Sequence, residues 1–403
     1  MIPAVVASTE APALEITDRS RAKNSTGAGS SATPSVEKSS DLPNLDLLRS
    51  TAVLLVLFGH LAAFMKIRGL GDVGYFGVLL FFVHTALVLM LSMERLGLSG
   101  SKLYFVFVVR RFFRIYPLSV LAVLVGVGFS IPSAPWLGGF VWPSWQGLVS
   151  NILLIQNITH NGSVISVLWS LPFEVQMYAF LPLFFLVILR FPSLWTISLI
   201  WVSSVVIAGS EYLVRIGLGD SQFLVLRYFP CFLAGVFAWR LMAHQHRRLP
   251  NMLWGLFLLA LVVLYRLEDV FRVYGPNWLE ALHGKLRNDH QTWMPPSLDL
   301  VRDWALCAIT GFAIPFFAQI TNRLLNSITR RIAMYSYGIY ICHIPVLWLC
   351  FDKLHLVNSA TSAIVAVFTT ALVSIALYHF LEHPAIQFGK HLTTQPVTTA
   401  ANA

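Results

Sequence analysis

Charged residues are scarce in this sequence of 403 residues, of which they make up only 12%. A soluble globular domain carries about 25% charged residues, so the scarcity argues against one. Hydrophobic residues account for 56% of the chain, and its mean hydropathy is +0.69. Apolar runs near the roughly 20 residues that cross a bilayer recur along it. We therefore predict an all-α integral membrane protein with many spans.

Cysteine is also sparse. Cys231, Cys307, Cys342 and Cys350 fall in apolar runs at no metal-like spacing, which favours buried thiols over a disulfide framework or a metal site. The formal net charge is +9, but the cations stand mostly at the ends of apolar segments, a pattern typical of membrane topology and anionic lipid. We expect membrane lipids as partners and no nucleic acid.

Residues 1–43 differ from the rest because they lack periodicity and have few large apolar side chains. Such a segment cannot bury enough surface to offset its ordering entropy, and it lacks the basic start and apolar core of a signal peptide. We predict a disordered cytoplasmic tail over 1–43, a multi-spanning domain over 44–388, and a short cytoplasmic C-terminal tail over 389–403.

About ten apolar segments are predicted to span the membrane. They are 47–65, 74–94, 109–130, 167–189, 194–210, 222–241, 251–266, 298–320, 332–351 and 359–381. An even number places both termini on one side, and the distribution of Lys and Arg makes that side cytoplasmic. A shorter apolar piece at 146–157 is too short to cross. No internal repeat is evident, which disfavours a transporter built from inverted halves.

The stretch "RSTAVLLVLFGH" places an arginine and a histidine in the first span. Arg49 and His60 are eleven residues apart, which is about three helical turns and a rise of about 16 Å, so both lie on one face. Asp46 precedes Arg49 by three residues and could pair with it. Arg49 is either a topology anchor or a functional cation. His60 is either a partner in an interhelical hydrogen bond or a general base at membrane depth.

The stretch "VVRRFFRIYPL" places Arg111 and Arg114 three residues apart and therefore on one helix face. Guanidinium pairs bind phosphate, but arginines at a helix end are also typical of cytoplasmic anchors. Pro117 predicts a kink or a turn just inside the membrane.

The stretch "LWSLPFEVQMY" predicts the start of a helix. Ser170 can cap a helix whose first turn tolerates Pro172. Glu174 would then lie in the opening of the span, with Tyr178 one turn further on. The carboxylate either complements the helix N-terminus, or binds an acceptor hydroxyl or tunes a nearby imidazole; both interpretations stay open.

In "SYGIYICHIPV", His343 precedes Pro345 by two residues. A proline within a span frees a backbone carbonyl and opens a polar pocket between helices, so His343 is either a structural partner of that pocket or a catalytic group. His84, in "LLFFVHTAL", has no supporting motif, and we assign it no role at this point.

Taken in order, these stretches resemble motifs of the membrane-bound acyltransferase 3 family, multi-spanning enzymes that acylate hydroxyls of surface carbohydrates and related molecules. "LDLLRSTAVLLVLFGH" is similar to the family's first span, and Arg111 with Arg114 to the arginine pair that opens its third. "WSLPFEVQMY", "SYGIYICHIPV" and "LEHPAI" are similar to its later motifs, and the resemblance covers residues 44–388. Leu79 and Thr85-Ala86 depart from the second span, where a polar residue and a serine-glycine pair are usual.

The resemblance implies an acyl-CoA donor, most simply acetyl-CoA, as co-substrate, with no bound cofactor and no metal. Arg111 and Arg114 would hold its phosphates at the cytoplasmic mouth, with Arg49 assisting, and its thioester would arrive beside His60. His60 would remove the proton from an acceptor hydroxyl, and Glu174 would orient the ring or oppose its neutral state. Further residues expected in the pocket are Asp46, Trp169, Ser170, Tyr178, Tyr340 and His343.

The acceptor implied is a hydroxyl of a carbohydrate or glycolipid, and the location implied is the bacterial inner (plasma) membrane. The loop 267–297, with Glu268, Asp269, His283 and His290, could contact the acceptor, although a solvated polar loop is the favoured interpretation. Two alternatives stay open: a transporter or exporter of an acyl donor or small metabolite that uses the same polar core, and a sensor or scaffold without the activity. The sequence carries no prediction of oligomeric state.

Overall fold

The computed structural model describes residues 42–67, 70, 72–135, 138–213, 224–243, 248–274, 298–354 and 358–394. The predicted N-terminal tail lies outside the described residues up to position 41, and the predicted loop 267–297 lies outside them from position 275 onward, with His283 and His290. Of the C-terminal segment 389–403, residues 389–394 are described, and they continue a helix to Thr393.

Twelve α-helices make up most of the regular structure in these ranges. They are α1 (Pro43–Phe64), α2 (Val73–Leu96), α3 (Gly100–Gly128), α4 (Trp145–Leu153), α5 (Leu171–Arg190), α6 (Leu194–Leu213), α7 (Leu224–Met242), α8 (Met252–Tyr274), α9 (Leu298–Ala313), α10 (Arg323–Trp348), α11 (Ser359–Leu377) and α12 (His383–Thr393). Short 3₁₀ turns cover Ser166–Ser170 and Ile314–Phe316, and π turns cover Leu349–Lys353 and Tyr378–Glu382. No β-strand occurs among the described residues, so the all-α prediction is confirmed.

Within the described residues, six helical segments are long and apolar enough to cross a membrane. They are Pro43–Phe64, Val73–Leu96, Ser166–Arg190, Val225–Met242, Arg323–Lys353 and Ser359–Thr393. Two shorter helices, Leu194–Gly209 and Met252–Leu267, are also apolar. The chain is therefore a multi-pass helical membrane protein by length and composition, while the count of about ten spans and the cytoplasmic termini stay predictions.

Helix α2 lies at the centre of the bundle, packed between α1 on one side and α7 on the other. Two glycines make the close approach possible. A Cβ at Gly77 would lie 2.5 Å from the carbonyl oxygen of Ala52 in α1, and a Cβ at Gly235 in α7 would clash with the carbonyl oxygen of Val83 in α2. Only a residue without a side chain fits at either position, so backbone contact holds the three helices together.

Helices α1 and α10 lie side by side and run in the same direction. Arg49 contacts Ser336 near the start of the shared interface, and His60 contacts His343 further along both helices. Because the order of the contacts is the same on each helix, the two polar residues of α1 face α10 at two separate levels. The predicted common face of Arg49 and His60 is thereby confirmed.

Two local predictions are wrong. Helix α3 begins at Gly100 rather than near residue 109 and continues through Pro117, so Arg111 and Arg114 lie in the interior of a helix and not at its end. Ser170 closes a 3₁₀ turn and makes no capping hydrogen bond, because its hydroxyl is bonded to Tyr340 across the bundle. Pro172 does stand in the first turn of α5, as predicted.

We expect Gly235→Ala to lower the melting temperature of the purified protein, because the added methyl overlaps the backbone of α2 and overpacking of this kind costs about 1–3 kcal/mol. The control is Gly255→Ala in α8, where an added Cβ meets nothing within 4 Å. Alanine is favoured over glycine in a helix by about 1 kcal/mol, so the control should be neutral or slightly stabilising. Equal melting temperatures for the two variants would contradict the close approach.

Candidate functional site

A cavity in the interior of the bundle is lined by charged side chains from three helices, α1, α3 and α5. We call it the arginine cavity. Its polar lining comes from α1, α2, α3, α5 and α10, with a serine that precedes α5, and consists of Arg49, His84, Thr85, Arg111, Arg114, Ser170, Glu174, Tyr178, Ser336, Tyr337 and Tyr340. The remainder of the lining is apolar, with Phe81 and Phe82 among it. The three arginines that the sequence analysis proposed for phosphate binding therefore meet in one place.

The three arginines are held in different ways. Arg49 donates from Nε to the Ser336 hydroxyl at 2.6 Å. Arg114 forms an ion pair with Glu382, whose side chain is fully buried. Arg111 lies 5.9 Å from the centre of the Phe107 ring, and its buried Nε has no hydrogen-bond partner among the described residues. Arg111 therefore has a buried N–H that no residue in the described ranges accepts.

Glu174 belongs to the arginine cavity. The Tyr178 hydroxyl donates to Oε1 of Glu174 at 2.6 Å. The two residues lie one helical turn apart at the start of α5, as predicted. Around the cavity, three guanidinium charges (Arg49, Arg111 and Arg114) face the carboxylates of Glu174 and Glu382. Three minus two leaves one positive charge, so the cavity suits an anion.

Sequence reasoning missed several residues of this site, among them Ser336 and Tyr337 of the cavity lining, and also Glu382 and His84. Glu382 was noticed only within the closing "LEHPAI" stretch, and its contact with Arg114 depends on the π turn Tyr378–Glu382, which places it on the inner face of its helix. His84, only 3% exposed, lines the cavity from α2. The available signal for His84 was its position within an otherwise apolar run, and that alone identified no role.

A pair of histidines lies at the second level of the α1–α10 interface. His343 Nε2 is 3.2 Å from His60 Nδ1, and the two rings are 5.0 Å apart between centres. His343 Nδ1 is 3.0 Å from the carbonyl oxygen of Ile339, and His60 Nδ1 is 2.9 Å from that of Val56. His343 of α10 and His60 of α1 are thus in direct contact.

These contacts define the tautomers of the two neutral rings. A carbonyl oxygen only accepts hydrogen bonds, so Nδ1 of His343 carries its proton and Nε2 carries a lone pair. His60 Nδ1 must likewise be protonated to donate to Val56, and it shares this one hydrogen with the lone pair of His343 in a three-centre bond. In its neutral form His60 therefore has its basic lone pair on Nε2.

Tyr340 separates the two levels. Its ring lines the arginine cavity and lies 6.2 Å from the His343 ring, between centres. Its hydroxyl donates to the Val167 carbonyl at 2.7 Å, so the Ser170 hydroxyl, also at 2.7 Å, is the donor to Tyr340. His60 and His343 are not part of the cavity lining, and Tyr340 forms the wall between them and the arginines.

The other residues predicted for the pocket lie outside the arginine cavity. Trp169 stacks on Tyr75 with ring centres 5.8 Å apart, and the Tyr75 hydroxyl donates to Asp303 at 2.9 Å. Asp46 lies in the first turn of α1, and its pairing with Arg49 stays a prediction. Within the described ranges, no group of three or more His, Cys, Asp or Glu side chains is arranged to hold a metal ion.

Comparison with known families identifies the class of protein that this fold and site define. A family model described as an acyltransferase domain matches residues 42–379, which is most of the chain. The chain belongs to the acyltransferase 3 family and is a membrane acyltransferase that transfers groups other than amino-acyl groups. Searches of curated proteins and of solved structures gave no match.

We expect Glu382→Gln to lower the melting temperature strongly, because removal of one member of a buried ion pair leaves the other charge uncompensated, at a cost of about 3–5 kcal/mol. The double variant Arg114→Met with Glu382→Gln should recover much of the loss, since no buried charge is then unpaired. A double variant that is less stable than both single variants would contradict the ion pair as the source of the effect.

Proposed function

We propose that this membrane acyltransferase moves an acyl group, most simply acetyl, from cytoplasmic acyl-CoA to a hydroxyl of a carbohydrate or glycolipid acceptor. The observation that carries the proposal is the pair of polar levels along α1 and α10. A cavity with excess positive charge lies at one level, and a histidine pair lies at the other.

The arginine cavity suits the phosphate end of the donor. Guanidinium groups bind phosphate oxygens strongly and stay charged, and Arg111 offers a donor that no described residue uses. Arg49 and His60 differ in depth by about 16 Å along α1, a distance comparable with an extended pantetheine arm. Phosphates near Arg111 and a thioester near His60 are therefore compatible with a single donor molecule.

The histidine level supplies the chemistry in this proposal. Nε2 of His60 removes the proton of the acceptor hydroxyl, whose oxygen attacks the thioester carbonyl. The carbon–sulfur bond then breaks, an ester forms on the acceptor, and the CoA thiolate leaves and takes the proton from His60. Nε2 of His343 accepts the Nδ1–H of His60 throughout, so it orients the ring and stabilises the transient imidazolium.

In this proposal Glu174 acts where the acyl-CoA donor binds and not on His60. It lines the arginine cavity and is bonded to Tyr178, whereas His60 lies beyond the Tyr340 wall. Its carboxylate limits the positive charge of the cavity, which allows the donor to leave after transfer. The orientation of His60 is assigned to His343 instead.

Donor binding is tested by the thermal stability of the purified protein with and without acetyl-CoA. A ligand present at 100 times its dissociation constant stabilises the native state by about 2.7 kcal/mol. We expect a shift in the wild type and its loss in Arg111→Ala. The matched control is Arg110→Ala, because Arg110 is the adjacent cation of α3 and is bonded to Thr393 away from the cavity lining. If no acyl-CoA shifts the wild type, the proposed donor is wrong.

We expect His60→Ala to keep the acetyl-CoA shift but to lose acyl transfer by about 10²–10⁴-fold, the usual contribution of a general base. The measurement is release of free CoA in the presence of membranes that contain the acceptor. Transfer at the wild-type rate would contradict the role of His60. Uptake of intact acetyl-CoA by proteoliposomes, without thioester cleavage, would favour the transporter alternative.

We expect His343→Leu to lower kcat by about 10- to 100-fold, because a hydrogen bond to a charged partner is worth about 1.5–3 kcal/mol. KM for acetyl-CoA should change little, since His343 does not line the arginine cavity. His343→Gln, which keeps an acceptor oxygen, should recover part of the loss. Equal kcat in the leucine and glutamine variants would contradict a positioning role and indicate a packing role.

A further inference from the structure

His84 is a buried histidine that the mechanism above does not use. It lies on α2, is 3% exposed and lines the arginine cavity. Its Nδ1 is buried and has no hydrogen-bond partner among the described residues. The Nε of Arg111, which lines the same cavity from α3, shares both properties.

Two unpartnered nitrogens in one cavity point to a ligand group. A buried polar atom without a hydrogen bond costs free energy, and native structures hold few of them. The guanidinium N–H of Arg111 only donates, so a partner that the two nitrogens share must be an acceptor, and His84 meets it as the tautomer that carries its proton on Nδ1. The excess positive charge around the cavity (three guanidiniums against two carboxylates) selects an anionic acceptor, and phosphate oxygens fit this chemistry.

We infer that His84 and Arg111 together bind one phosphate group of the acyl donor. This inference rests on the proposed function. It adds His84 of α2 to the arginines as a residue that binds phosphate. The cavity lies in the interior of the bundle, between α1, α2, α3, α5 and α10, which favours the donor over a lipid headgroup as the source of the phosphate.

The experiment measures the affinity of purified wild type, His84→Leu, His84→Asn and Arg111→Ala for acetyl-CoA in a maltoside detergent, which contains no phosphate. His84→Leu should weaken binding at least about tenfold. His84→Asn, whose amide nitrogen reaches the position of Nδ1, should weaken it less. If His84→Leu does not purify, His84→Phe replaces it. Phenylalanine keeps a ring at this position and, like leucine, has no hydrogen-bond donor.

Two further measurements identify the group that His84 binds. Acetyl-pantetheine, which has no phosphate, should bind wild type and His84→Leu equally. The double variant His84→Leu with Arg111→Ala should lose less affinity for acetyl-CoA than the product of the two single losses, since both residues contact the same phosphate. Strictly multiplicative losses, or an equal loss with acetyl-pantetheine, would overturn the shared contact.

Added phosphatidylglycerol distinguishes a lipid phosphate from that of the donor. If it stabilises the wild type but not His84→Leu, while both bind acetyl-CoA equally, the source is lipid and the inference is overturned. If the wild type binds acetyl-CoA and His84→Leu binds it equally, this inference fails and the proposed donor stands. If the wild type binds no acyl-CoA, the proposed donor fails and the inference fails with it.

Discussion

Charge inside an apolar helix bundle is the constraint on which the rest of this structure depends. The ion pair of Arg114 with Glu382 shows this constraint most directly, because a buried guanidinium is stable only with a buried carboxylate close by. That requirement brings the π turn Tyr378–Glu382 against α3, and α12 then packs along α3. The pair holds Arg114 in place, whereas the buried Nε of Arg111 has no hydrogen-bond partner among the described residues.

The parallel packing of α1 and α10 separates recognition from chemistry. Helix α1 contributes Arg49 and α10 contributes Ser336, Tyr337 and Tyr340 to the arginine level. Each of the two helices contributes one histidine to the other level. Tyr340 stands between them, with its hydroxyl bonded to the backbone of Val167 and its ring close to His343. A donor that reached from one level to the other would pass this side chain, so its fixed position matters for both ends of the proposed reaction.

The histidine pair shows how backbone carbonyls control side-chain chemistry. Val56 and Ile339 each lie four residues before the histidine that they contact, on the same helix. In a regular helix these carbonyls are within reach of a side chain one turn on. They determine which nitrogen of each ring is protonated, and the basic lone pair of His60 is placed on Nε2 as a consequence.

Local spacing in the sequence determined the features that lie within one helix. The apolar runs established the all-α membrane fold, the eleven-residue interval placed Arg49 and His60 on one face, and the four-residue interval placed Tyr178 over Glu174. Helical periodicity sets these relations whatever the surroundings. The ordered motifs likewise sufficed for the family, which the comparison then confirmed.

Contacts between helices were decided only by the tertiary structure. Glu382 meets Arg114, His343 meets His60, and His84 enters the arginine cavity because close backbone packing decides which helix faces are neighbours. No local pattern encodes that choice. Ser170 illustrates the difference, since its sequence context predicted a helix cap, but the hydroxyl of Tyr340 on another helix is the partner that packing provides.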